Sequence, residues 1–529
     1  MFIFLIALAA LVGILVSTRM GPGVGGDATI YITSARNLVA GKGFGLIDAR
    51  GEFRLLPYFA PLFPLMLSVF ERLGLDLPQA ARWLNALLFA GLALGAGMAV
   101  LRLTRSAALG VLAALLVACS PILIPIYSWA MSEPLALLTG FSGLWLALLA
   151  ARGERRGAAF WGSALLTGLS FLTRYSSAGF VGAAALGLLL FRHGPLPRRL
   201  ADALIYGAIA ALPTALWMGF VYLQTDAVSS RSVESAAGMA ARLASFWPRA
   251  ADMLLAWLLP YSWMETPRYP AVINRLLVPG MLLALALWAG LALRSGARQE
   301  RGWKDDRLRA AALLLLLAAA YLAVILLVYV TTYPPITIDN RMLSPLHVAV
   351  VLLLPLLASL TAHIFSSLRW VKSLLLAGLA LGALWFGWRS VRIVDINAQL
   401  GLGYSSVEWQ ESQTRAAMRA VLPAGAAVVT NEQTALLYLD GITPYPMMEP
   451  YQDAPSATFT RFGDGDLEKD DAQRLFREGK AVLVLFDTIY AQMEGLYGER
   501  TAERVQALTA GLEVLFKGND GAIYRYPAP

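Results

Sequence analysis

Asp27, Arg174 and Arg341 lie at the edges of apolar runs, and Arg231 lies in a polar loop between two such runs. A carboxylate can take a proton from a hydroxyl, and guanidinium forks match phosphate oxygens. Such a set suits chemistry in which a base acts beside a lipid phosphate. Each residue also has a plainer reading. Asp27 begins a segment in which Tyr31, Ala35, Leu38 and Val39 recur at helical spacing and Gly41 and Gly43 supply a stop. That pattern predicts a short amphipathic helix at the membrane surface. Asp27 is then either an N-cap or a base, and the roles are compatible because a helix N-terminus favours the ionised carboxylate.

Arg174 sits in Thr173-Arg174-Tyr175-Ser176-Ser177, between two apolar arms of residues 157–191. The arms are short for full spans, which places Arg174 at a hairpin tip, where it either snorkels to the interface or serves a site. Arg341, in Ile338-Asp339-Asn340-Arg341-Met342-Leu343-Ser344-Pro345, either pairs with Asp339 or faces a ligand. Arg231, ending Thr225-Asp226-Ala227-Val228-Ser229-Ser230-Arg231, reads more simply as a solvated loop charge. Glu133 follows Ser132 and precedes Pro134, so it marks a helix start and is either a first-turn acid or a site residue. Tyr31, Tyr58 and Tyr175 share these motifs and complete the set of substrate-site candidates with Glu133. Nothing in their spacing singles out Asp48, Glu52 or Glu265.

The elements that carry these residues belong to a membrane protein. The chain of 529 residues is 58% hydrophobic and 15% charged, with a mean hydropathy of +0.60. A soluble enzyme carries about a quarter charged residues, so an ordinary soluble fold and disorder are both excluded. A span needs about 20 mainly apolar residues, and eleven runs meet or approach that, beginning near residues 2, 81, 107, 133, 157, 176, 200, 273, 310, 345 and 373. The first run lacks a basic n-region and a cleavage site, so it reads as a retained helix. With the N-terminus cytoplasmic, every short cytoplasmic loop is basic, from Arg102 and Arg105 through the cluster Arg294–Arg309 to Arg369 and Lys372. Residues 19–80, 224–272 and everything beyond about 390 then share the outer face.

The chain from Arg392 onward holds 12 basic and 19 acidic residues, against 31 and 16 before it. That division fits the positive-inside rule and not nucleic-acid binding. Ala426-Ala427-Val428-Val429 and Ala481–Phe486 read as strands, and 465–478 and 497–511 as helices, so residues 391–529 are expected to form a soluble outer α/β domain after a transmembrane domain of residues 1–390. One cysteine, Cys119, and three histidines make a Cys/His metal cage improbable, so any metal would be held by carboxylates. The tryptophans near span ends, such as Trp217, Trp247 and Trp388, suit interface anchors.

A first helix, the D-x-x-x-Y-x-x-x-A-R-N-L element at Asp27, the segment Pro57-Tyr58-Phe59-Ala60-Pro61-Leu62-Phe63-Pro64, Ser132-Glu133-Pro134, Leu172-Thr173-Arg174-Tyr175 and Arg341-Met342-Leu343-Ser344-Pro345 occur in one order. Over roughly residues 1–390 this arrangement resembles the GT-C superfamily of membrane glycosyltransferases, nearest the family 39-like protein mannosyltransferase and aminoarabinose transferase relatives. The resemblance implies a GT-C-like fold and transfer of a sugar from a polyprenyl-phosphate donor to a glycan, lipid or protein hydroxyl at the outer face of a bacterial inner membrane, without a required cofactor. It matches Asp27 to the catalytic aspartate, and Arg174 and Arg341 to positions near the lipid phosphate, with Arg231 a weaker candidate. The sequence departs from the family in the Gly26 and Ala28 that flank Asp27 and in Tyr58-Phe59-Ala60-Pro61, which leaves the donor sugar and metal use open. The competing classes are a lipid-linked sugar flippase and a non-catalytic glycan-binding protein. The absence of an internal repeat and the gathering of distinctive polar residues on one face favour an enzyme.

Overall fold

The computed structural model describes residues 1–153, 155–226, 232–260, 271–298, 302–333, 335–365, 368–422, 426–447 and 467–527. The chain forms two compact units that interleave in sequence. One comprises Met1–Arg19, Pro57–Met66 and Pro78–Gln399, and the other Met20–Leu56, Leu67–Leu77 and Leu400–Pro529.

The first unit is helical. Among the described residues, seven helices are long and apolar enough to cross a bilayer: Leu77–Thr104, Glu133–Ala150, Leu196–Thr225, Leu277–Ala297, Asp306–Thr331, Ser344–Ile364 and Trp370–Leu400. Four shorter apolar helices, Phe2–Ser17, Ala107–Ala118, Ala158–Thr173 and Tyr175–Phe191, occupy the other runs read from the sequence. The helix that begins at Arg369 continues to Leu400. Small residues set the closest helix contacts, as in membrane bundles generally. A Cβ on Gly143 would stand 2.6 Å from Thr167 Cγ2, and one on Gly179 would stand 2.7 Å from Tyr321 Cα. Those two glycines therefore fix the packing of Glu133–Ala150 on Ala158–Thr173 and of Ala178–Phe191 on Asp306–Thr331. Hydroxyls add interhelical hydrogen bonds: Ser163 Oγ and Thr167 Oγ1 each lie 2.8 Å from the buried Tyr206 hydroxyl.

Among the described residues, the second unit contains a five-stranded mixed sheet in the order Tyr445–Pro446, Ala427–Thr430, Ala481–Phe486, Gly521–Arg525, Glu513–Lys517. The first three strands are parallel, and the last two form an antiparallel hairpin added to Ala481–Phe486. Ala481–Phe486 is buried along its whole length. Its side chains alternate between two apolar clusters, Leu483 and Leu485 joining Phe476, Ile489 and Met493 on one face, and Val482, Val484 and Phe486 joining Met418 and Leu436 on the other. A central strand covered on both faces reads as a continuous apolar run, which is why it stood out in the sequence. The helix Gly26–Val39 belongs to this unit and packs on the hairpin strand Gly45–Ile47 and the helix Gln433–Asp440. Tyr31 and Ala35 on its apolar face, at 5% and 0% exposure, are covered by protein.

Candidate functional site

Helix starts fix the polar cluster of the first unit. Pro134 and Pro345 each stand in the first turn of their helices, Glu133–Ala150 and Ser344–Ile364, where a missing N–H costs nothing. The first places Glu133 at a helix start, and the second follows the turn that carries Arg341. Arg174 ends the helix Ala158–Thr173 in an extended conformation, between it and the short helical turn Tyr175–Ser177. The hairpin tip expected from the two short apolar arms is thus present.

These three residues meet. Glu133 Oε1 takes Arg174 Nη1 at 2.7 Å and Arg341 Nε at 2.8 Å. The Glu133 side chain is 2% exposed, Arg174 17% and Arg341 34%. Among the described residues, Glu133 Oε2 has no hydrogen-bond partner. Arg174 also donates to Ser132 Oγ at 3.4 Å and to Met342 Sδ at 3.2 Å. Met342, next to Arg341, donates its backbone N–H to Asp339 Oδ1 at 2.8 Å, and Ser344 Oγ donates to the Arg341 carbonyl at 2.7 Å. Asp339 therefore braces the turn that presents Arg341, a part the sequence reading gave to direct pairing alone. A buried carboxylate holding two cations side by side can organise an anion site or a rigid structural triad.

Tyr175 ties this hairpin to the proline-rich segment. Its hydroxyl lies 3.4 Å from the Pro57 carbonyl and 3.3 Å from that of Phe59, and accepts from Trp217 Nε1 at 3.1 Å. Tyr58, half-buried between those carbonyls in sequence, packs its ring 4.7 Å from that of Phe59. Tyr175 is thus held by structure on all three sides. Arg231 and Glu265 lie outside the described residues.

Asp27 and Tyr31 belong to the second unit. Gly25 is the N-cap of Gly26–Val39, and Asp27 stands in the first turn. The N-cap reading of Asp27 does not hold, because the extended Gly25 takes that position. The favourable field of the helix N-terminus remains. Tyr31 is buried in the packing of the helix, which argues for a core role over direct substrate contact.

Other polar residues escaped the sequence reading. Arg389 is 8% exposed and donates to the carbonyls of Ala256, Trp257 and Leu259, at 2.9, 3.0 and 3.3 Å. It closes the end of the helix Ala236–Ala256, whose last carbonyls have no partner within the helix. Asp202, 2% exposed, joins Arg156 at 2.7 Å and Arg192 at 3.1 Å. In the second unit, Glu432 takes hydrogen bonds from the Tyr404 hydroxyl at 3.2 Å and Gln492 Nε2 at 2.9 Å. Burial holds the Glu432 carboxyl above its ordinary range, and the same burial, with Glu432 beside it, pushes the Tyr404 hydroxyl up. Among the described residues no three His, Cys, Asp or Glu side chains group to hold a metal ion.

No protein-family model matches the chain, and no curated protein matches it. Solved structures similar to it cover 98% of its length. They include ArnT from Cupriavidus metallidurans bound to undecaprenyl phosphate, at 18% identity over 97% of that chain with a TM-score of 0.49. The Archaeoglobus fulgidus oligosaccharyltransferase in complex with Zn and sulfate is 14% identical over 73% of that chain, with a TM-score of 0.48. The archaeal oligosaccharyltransferase AglB from Archaeoglobus fulgidus, with an inhibitory peptide and a dolichol-phosphate, is 14% identical over 74% of that chain, with a TM-score of 0.47.

Proposed function

We propose that this protein is an integral-membrane glycosyltransferase that moves a sugar from a polyprenyl-phosphate donor to an acceptor hydroxyl at the outer membrane face. The observation that carries the reading is the pair of guanidiniums held on one buried oxygen of Glu133. Two arginines repel when brought together, and a carboxylate buried between them offsets that repulsion and fixes their forks in advance. In this reading Glu133 organises and Arg174 and Arg341 bind: they take the donor phosphate and stabilise the charge that grows on it as the glycosidic bond breaks. Arg231 is a weaker candidate for the same role. The donor class rests on the motif resemblance.

Asp27 is the proposed base. It accepts the proton of the acceptor hydroxyl, whose oxygen attacks the anomeric carbon while the lipid phosphate departs with the bonding pair. One displacement inverts the anomeric configuration. The test is transfer of radiolabelled sugar from a panel of polyprenyl-phosphate sugars by purified wild type, Asp27→Asn and Arg341→Ala in lipid nanodiscs. Asp27→Asn should lose about 10²–10⁴-fold in turnover with its thermal midpoint unchanged, and Arg341→Ala should mainly raise the donor KM. Full activity of Asp27→Asn would move the base elsewhere. Donor binding without transfer by the wild type, across all donors and acceptors offered, would favour the lipid-carrier reading.

A further inference from the structure

A second cationic site lies in the helical unit, at the other ends of its helices. A cavity of about 780 Å³ is lined by His193, Lys304 and Arg309 at its polar end. Leu293, Leu315 and other apolar residues form its walls, and among the described residues no carboxylate lines it. The lining comes from the end of Ala178–Phe191, the end of Ala271–Ala297 and the start of Asp306–Thr331. Those termini flank the basic loop that the positive-inside rule assigns to the cytoplasmic face.

Arg309 is the informative residue. It is 5% exposed, and among the described residues its guanidinium makes one hydrogen bond, from Nε to the Trp303 carbonyl at 2.5 Å, and pairs with no carboxylate. Among the described residues, the acids nearest in sequence are engaged elsewhere, Asp305 with Arg307 at 2.6 Å and Asp306 with Arg152 at 2.9 Å. A buried guanidinium is expensive at a membrane boundary, and the expense falls when an anion sits on it. Trp303 stacks on Phe191 at 5.7 Å and 23° and stays 47% exposed, the placement of an aromatic interface anchor. The cavity therefore joins three basic side chains to apolar walls contributed by several helices.

We infer that this cavity binds an anionic phospholipid of the cytoplasmic leaflet, its phosphate on Arg309, Lys304 and His193 and an acyl chain against Leu293 and Leu315. The shape decides between a lipid and a soluble anion, since the cations open onto apolar walls that free phosphate would leave unfilled. A basic pocket between helices at a cytoplasmic face is the arrangement that selects anionic headgroups.

The experiment uses the full chain in detergent and reads two quantities: the thermal midpoint on titration with phosphatidylglycerol, phosphatidylcholine or inorganic phosphate, and lipid retained in native mass spectra. Phosphatidylglycerol should raise the midpoint and be retained, whereas phosphatidylcholine and inorganic phosphate should do neither. Lys304→Gln, at an exposed position, should weaken phosphatidylglycerol binding roughly fivefold, the loss of one surface charge. Arg309→Gln should weaken it further. If Arg309→Gln does not fold, Lys304→Gln and His193→Gln carry the test alone. Equal stabilisation by phosphatidylcholine, stabilisation by inorganic phosphate alone, or wild-type phosphatidylglycerol affinity in Lys304→Gln and His193→Gln would each overturn the inference.

Discussion

Glu133→Gln separates a carboxylate that organises two arginines from one that is incidental to them. The Arg174 and Arg341 nitrogens lie 2.7 and 2.8 Å from the same Glu133 oxygen. They therefore stand no more than roughly 5.5 Å apart, and at an effective dielectric of about 20 two unit charges at that distance repel by roughly 3 kcal/mol. Glutamine keeps the shape and removes the charge that offsets this repulsion. Arg341 is 34% exposed, which screens part of it, while Arg174 at 17% and Glu133 at 2% are shielded. The expected destabilisation is thus about 2–3 kcal/mol, just below the usual cost of breaking a fully buried pair. SDS-driven unfolding in bicelles should be measured for wild type, Glu133→Gln, Arg341→Gln and the double variant. The double variant should be more stable than Glu133→Gln, because removing one cation relieves the repulsion, so the cycle closes with a favourable coupling of at least about 1 kcal/mol. Additive single effects, or a Glu133→Gln stability within about 0.5 kcal/mol of wild type, would show that the carboxylate does not hold the two arginines together.

Arg389→Gln should cost at least about 2 kcal/mol, because three helix-end carbonyls lose a charged donor in a buried position. Hydrogen exchange across residues 250–260 should rise with it, and unchanged exchange would remove the capping role. Tyr175→Phe should destabilise by about 1 kcal/mol through loss of the hydroxyl held by Trp217 and the Pro57 and Phe59 carbonyls; an unchanged thermal midpoint would count against it. Burial holds the Glu432 carboxyl above its reference value of 4.5, so the folded state binds that proton more tightly than the unfolded chain does. Its contribution to stability is therefore fully present below about pH 4.5 and lost as pH rises through the raised value. Relative to Glu432→Gln, the wild type should melt better at pH 5 than at pH 8, and an equal difference at both pH values would refute the assignment.

What the sequence made legible was local. The apolar arms of residues 157–191 were too short to be ordinary spans and were parted by a charged turn, so the hairpin and Arg174 at its tip could be seen without any partner. Pro134 and Pro345 announced helix starts because proline loses nothing there. The fully buried strand Ala481–Phe486 showed as an unbroken apolar run. What stayed hidden was long-range. Arg341 finds Glu133 across 208 residues, and no local pattern records that choice. Arg389 near the end of an apolar run carries no local signal of its role, and only the carbonyls of a separate helix reveal its partners. The grouping of Met20–Leu56 with Leu400–Pro529 depends on contacts such as the Val24 bridge to Gly403, which leave no periodicity in either segment.

The two carboxylates singled out by the sequence also divide by chemistry. A general base must offer an oxygen to a proton, and a carboxylate at 2% exposure with one oxygen between two guanidiniums is poorly placed to reach an acceptor hydroxyl. Glu133 is in that position, so under the proposed function its removal should appear first in stability and donor KM. Asp27 stands in the first turn of Gly26–Val39, half-buried, with Gly25 filling the cap. A half-buried carboxylate is within reach of an acceptor hydroxyl, as proton abstraction requires. The division predicts opposite kinetic signatures, with Asp27→Asn falling in kcat at an unchanged donor KM and Glu133→Gln rising in donor KM, and a kcat collapse in both variants would place the two residues on the same step.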